Sequence, residues 1–135
     1  MTTDGRLVVL AALAATLVLG ACAGEEADLA GRTFTITEVR GHDLVEGSTV
    51  TLAFEENGIS AQAGCNTLNG AASWDGGTLD VQEPMASTRL ACEEALRAQD
   101  QWLASFLTSS PALEVDGEVL TLDDDTTRMT LAEQP

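Results

Sequence analysis

The sequence predicts the α+β class: a strongly bent antiparallel β-sheet, or partial barrel, built of hairpins with one packed amphipathic helix. Two observations predict it. Apolar and polar residues alternate at period two through most of residues 29–135, between turns rich in Gly, Asn and Asp, and the period changes to 3.6 once, between Pro84 and Pro111.

The elements follow in order. Thr33 to Val39 places Phe34 and Ile36 on one face, and Thr49 to Glu55 alternates strictly, with Val50, Leu52 and Phe54 pointing one way. Glu56-Asn57-Gly58 supplies the left-handed conformation of a tight hairpin, which folds Ile59 to Ala63 back on the preceding strand. Asp75-Gly76-Gly77 repeats the device between the segment around Trp74 and a strand over Thr78 to Val81. The helix spans about Ala91 to Thr108: Leu96, Leu103 and Leu107, flanked by Trp102 and Phe106, form its apolar stripe, while Glu93, Glu94, Arg97, Asp100 and Gln101 face water. Glu93 and Arg97 make an i,i+4 pair contributing about 0.2–0.5 kcal/mol. Beyond the helix, Asp116-Gly117 joins Leu113-Glu114-Val115 to the strand Val119 to Leu122, and Asp123-Asp124-Asp125 separates that strand from Arg128 to Leu131.

Two short segments precede this domain. Residues 1–21 read as a signal peptide: Arg6 closes a short polar start, and the apolar run Leu7 to Leu19 would make a helix of roughly 20 Å, short of the ~30 Å hydrocarbon thickness of a bilayer. The run ends in Leu19-Gly20-Ala21-Cys22, which resembles the lipobox of bacterial lipoproteins. Small residues beside the scissile bond let an extended backbone enter a narrow protease site, so cleavage is expected between Ala21 and Cys22. The Cys22 thiol is the nucleophile there that accepts a diacylglyceryl group as a thioether. Residues 22–28 have no apolar periodicity and read as a lipidated N-terminus and hydrated tether.

Charge narrows the partners. The basic residues are 6 arginines with no lysine, against 22 Asp and Glu, giving a net charge of -16. Because residues 1–21 hold only Asp4 and Arg6, the remainder keeps 5 arginines against 21 acids, again -16. Such a surface repels phosphate backbones and anionic headgroups, so no nucleic acid is expected as a partner, and any membrane attachment is through the lipid anchor.

Of the three cysteines, Cys22 is consumed by lipidation, leaving Cys65 and Cys92 in an oxidising compartment where a disulfide persists. The alternative is a pair of buried reduced thiols. Their spacing fits no short-loop zinc pattern, and His42 alone adds too few soft ligands, so no metal and no cofactor is expected.

The segments Gly64-Cys65-Asn66-Thr67-Leu68-Asn69-Gly70 and Ala86-Ser87-Thr88-Arg89-Leu90-Ala91-Cys92, in that order before the helix, resemble the META domain, or HslJ-like heat-shock lipoprotein, family. Gly64, Cys65, Asn66, Gly70, Thr88 and Cys92 carry the motif, and the resemblance covers about residues 29–132. Phe34 stands where an aromatic Trp is usual and Leu90 where Met is common; both changes keep an apolar side chain. The resemblance implies an envelope domain with no established enzymatic activity, associated with stress or antibiotic tolerance in some members and with secretion or virulence in others.

Candidate sites each have two readings. Gly64 and Gly70 permit tight or left-handed backbone beside Cys65, with Asn66 or Asn69 bonding the loop; alternatively Asn66, Thr67 and Asn69 line a ligand site. His42-Asp43 is a histidine and its neighbour in a polar surface loop, or the one possible acid–base pair involving His, though no nucleophile motif accompanies it. Asp123 to Asp125 is a solvated turn, or an attractor for a divalent cation that lacks the alternating ligands of a calcium loop. Trp74 and Trp102 are core residues, or mark an exposed patch. The expectation is therefore a lipid-anchored protein on the extracytoplasmic face of a bacterial membrane, not an enzyme, serving as a structural, stress-related or interaction module. The alternative is an envelope binding protein that captures a peptide, protease or small molecule through the sheet edge or concave face. No motif specifies an oligomeric state.

Overall fold

The computed structural model describes residues 28–135. The expected signal segment, the Ala21–Cys22 cleavage point, the lipid-bearing Cys22 and the tether up to residue 27 lie outside the described residues.

Among the described residues, nine strands and one α-helix make up the fold: β1 Thr33–Arg40, β2 Thr51–Glu55, β3 Gly58–Gln62, β4 Thr67–Ser73, β5 Asp80–Val81, β6 Ala86–Ser87, α1 Glu94–Leu107, β7 Ala112–Asp116, β8 Val119–Asp123 and β9 Arg128–Glu133. Every pairing is antiparallel, in the order β5-β4-β3-β2-β1-β9-β8-β7, with β6 also on β4. Sequential hairpins build both halves, and the first and last strands join them at the centre. A bulge at Thr37, where β1 slips against β9, increases the local twist. The curl brings the two ends of the sheet together: Thr78 bridges Ala112, and the Leu79 N–H donates to the Pro111 carbonyl at 2.9 Å. The result is a curled half-barrel, as the alternation predicts.

The alternating residues of β2 do face inward: Leu52 and Phe54 are buried with Phe34, Ile59, Leu120 and Leu131. Phe34 meets Phe54 edge-on at 5.8 Å, and Phe54 meets Trp74 edge-on at 5.4 Å. Leu103, Phe106 and Leu107 of α1 belong to the same core. No helix among the described residues is long and apolar enough to cross a membrane.

Five local expectations are corrected. Gly58 is not left-handed; it opens β3 opposite Glu55, and a Cβ there would lie 3.0 Å from the Gly70 carbonyl oxygen, so close approach explains the glycine. The strand expected over Thr78 to Val81 is paired on β4 only at Asp80–Val81, because Thr78 turns instead to Ala112. The helix begins at Glu94, and Asp100 does not face water: it is 5 % exposed, as Gln99 is 2 %. Three ion pairs occur among the described residues, Arg32–Glu133, Arg40–Glu38 and Arg128–Asp123, and Glu93–Arg97 is not one of them. Glu93 lies at the helix start, where its carbonyl accepts the Leu96 and Arg97 N–H groups at 3.1 Å each.

Candidate functional site

Five of the six motif residues, all but Gly70, converge at the end of the β3–β4 hairpin. Gly64 has φ +105°, a conformation unfavourable for other residues, and a Cβ there would also press on Leu96 of α1 at 3.1 Å. That turn sends Cys65 to Cys92, with which it forms a disulfide across a Cα–Cα distance of 6.0 Å. The next residue, Asn66, is buried. Its Oδ1 accepts the Leu90 N–H (2.7 Å) and the Thr88 hydroxyl (3.0 Å), and its Nδ2 donates to Oδ2 of Asp100 (3.1 Å). The Asn66 backbone N–H donates to the same Oδ2 at 3.0 Å, while the Thr67 N–H donates to Thr88 Oγ1 at 3.0 Å. Oδ1 of Asp100 has no protein partner. One carboxamide thus ties the hairpin end, the segment before the helix and the helix itself.

Gly70 stands apart from this cluster. It lies in β4 opposite Ile59, where a Cβ would approach Val81 Cγ1 to 3.0 Å. The three polar residues of the alternative ligand site are not brought into one open cavity: Asn66 is buried and its side-chain groups are engaged, whereas Asn69 is exposed on β4.

His42 is not a free loop residue. Its ring stacks on Trp102 at 3.8 Å and an interplanar angle of 7°, and Asp43 beside it is exposed. Trp102 and Trp74 are both half-buried against the core, so neither forms an isolated exposed patch. Among the described residues no three His, Cys, Asp or Glu side chains gather closely enough to hold a metal ion. The acidic tip is organised by Asp124, whose carboxylate accepts the Thr126 N–H (2.8 Å), the Thr127 N–H (2.7 Å), the Thr126 hydroxyl (3.1 Å) and the Ser109 hydroxyl (3.2 Å). Partial burial pushes the Asp124 carboxyl up, but these four bonds together outweigh it and hold the group below its ordinary value.

The sequence reading missed Gln99 and Asp100. A signal was present: counting from Leu96 at steps of three and four reaches residues 99, 100 and 103, so both polar residues fall on the buried stripe. Gln99 holds the β1–β2 connection, accepting the Val45 N–H (2.7 Å) and donating to Ser48 Oγ and the Ala63 carbonyl, both at 2.8 Å. Between that connection and β1 lies an open cleft of about 450 Å³.

Three solved structures share the fold. A protein solved by NMR is 22% identical, matches at a TM-score of 0.61 and covers 77% of this chain and 90% of its own. An NMR structure of a protein from Burkholderia xenovorans is 17% identical, with a TM-score of 0.62 over 78% of this chain and 83% of its own. The crystal structure of a DUF4847-family protein from Bacteroides vulgatus is 12% identical, with a TM-score of 0.55 over 78% and 94%. No curated protein matches in sequence. The family model of the META domain matches residues 27–135, the same span that carries the curled sheet and the disulfide-bonded motif, and the chain belongs to the META domain family.

Proposed function

We propose that this META-domain protein is a lipid-anchored module of the bacterial envelope, held on the extracytoplasmic face through Cys22, with a structural or stress-related role and no catalytic chemistry of its own. The observation that carries this reading is the Cys65–Cys92 disulfide. It suits an oxidising compartment and leaves Cys22, at the end of Leu19-Gly20-Ala21-Cys22, as the remaining cysteine. The motif residues support a non-enzymatic role because Asn66, Thr88 and Asp100 bond one another rather than converging on an open site. Fractionation of cells expressing the wild type and Cys22→Ser tests the anchor: wild type is expected in membranes with a lipid-modified Cys22, and an unmodified Cys22 in membrane-purified protein would refute it.

A second reading, capture of an envelope peptide or protein, is favoured by one observation: the rigidly held connection beside β1 leaves a cleft at an interrupted strand pairing. Crosslinking and pulldown from intact cells separate the two, since a stoichiometric partner supports capture.

A further inference from the structure

Gln99, though buried inside the helix contact, holds a surface connection from within. Its amide binds Val45 and Ser48, and the connection is fixed again where His42 stacks on Trp102. Residues 41–49 therefore stand as a firm wall beside the second half of β1, with the cleft of about 450 Å³ between them. That is within the size range of small-ligand sites, about 300–1,000 Å³.

The strand side of this cleft is an open β edge. β1 pairs with β9 as far as Arg40, but its register with β2 covers only Thr33, Phe34 and Thr35, and the last bond on that side runs from the Ile36 N–H to the Val50 carbonyl at 2.9 Å. Backbone groups alternate sides along a strand, and the Asp124 N–H to Thr127 carbonyl bond (2.9 Å) sets the alternation in β9. Thr127 turns to the β8 side, Arg128 to β1, and Met129 to β8 again. Val39 lies opposite Met129 and so directs its own N–H and C=O away from β9, into the cleft. Among the described residues no backbone group of the connection meets them.

We propose that this cleft binds a short extended peptide segment carrying Lys or Arg beside an apolar residue, paired through its main chain to Val39. The open donor and acceptor of Val39 match the main chain of an added strand. Half-buried Ile36 and Leu44 seat the apolar side chain. Asp43 faces the cation, since Glu38 is already paired with Arg40 at 3.0 Å. The net charge of -16 attracts a basic segment and repels a second copy of this chain. The proposal deepens the capture reading and rests on it, independently of the anchor.

Hydrogen exchange read by mass spectrometry on the full chain in detergent tests it, with an acetylated, amidated pentapeptide of alternating lysine and valine as probe. The peptide is expected to slow exchange several-fold across residues 36–44. Val39→Pro removes a donor outside the β9 ladder and is expected to weaken binding at least tenfold. Asp43→Lys, at an exposed position, is expected to do the same whether or not the proline variant folds. Absence of protection across residues 36–44, or binding unchanged by Asp43→Lys, overturns the proposal. A partner crosslinked in cells that protects another face and is retained by both variants also overturns the cleft, while leaving the capture reading in place.

Discussion

Asn66 and Asp100 are joined twice: the backbone N–H and the side-chain amide of Asn66 both donate to Oδ2 of Asp100, at 3.0 and 3.1 Å, across 34 residues of chain. Both residues are buried, so removing the acceptor would strand two donors away from water. Each stranded donor costs about 1–3 kcal/mol. Asp100→Ala is therefore expected to destabilise the domain by roughly 2–5 kcal/mol. Asp100→Asn, which can keep an oxygen toward Asn66, should lose clearly less. Urea unfolding of both variants checks this, and equal losses would argue that the paired acceptance contributes nothing.

The disulfide acts beside this network, closing the chain between Cys65 and Cys92 over a separation of 27 residues. Restricting the unfolded chain over such a loop stabilises the fold by about 3.5 kcal/mol on the entropy model. Cys65→Ser or Cys92→Ser should lower the thermal midpoint by on the order of 10–20 °C, whereas Cys22→Ser should leave it in place. The cysteines lack the close spacing of thiol-exchange motifs, so the bond serves stability. Peptide mapping without reductant should recover the linked pair.

Asp124 makes a pH-dependent contribution. Its folded value lies below the ordinary 3.8, because four hydrogen bonds to Thr126, Thr127 and Ser109 outweigh the opposing effect of burial. A group lowered in this way stabilises the fold fully above its unfolded value, and the contribution is lost as pH falls through the folded value. The midpoint difference between wild type and Asp124→Ala should consequently be largest above about pH 5 and shrink toward pH 2. A difference that stays constant over that interval would show that the carboxylate charge is not what orders the turn.

Much of the fold was legible because β2 and β8 each put alternate residues, Leu52 and Phe54 or Leu120 and Leu122, into one core. The hairpin at Asp116-Gly117 was legible for a different reason: Gly117 has φ +61°, as its turn demands. Long-range polar contacts were not. The burial of Gln99 and Asp100 can be counted from Leu96, but their partners, Ser48 and Asn66, cannot be, because they are distant in sequence. The stacking of His42 on Trp102 was hidden in the same way, since it joins a loop to a helix 60 positions later and leaves no local periodicity. Within the motif, the Gly64 turn was legible, whereas the role of Asn66 depended on knowing what α1 presents to it.

Anchoring gives the last prediction. The segment Leu19-Gly20-Ala21-Cys22 is expected to be cut before Cys22 after its thiol has been acylated. Each buried methylene contributes ~0.8 kcal/mol, so one chain binds a membrane marginally and two or more hold it stably. The domain offers no electrostatic substitute, because its net charge of -16 is repelled by anionic headgroups. Loss of the lipid should thus be complete in effect: Cys22→Ser should either accumulate as unprocessed precursor or appear in the soluble fraction, at low and at high salt alike. Membrane retention of a processed Cys22→Ser chain that high salt releases would mean that a protein partner, and not acyl chains, holds the domain at the surface.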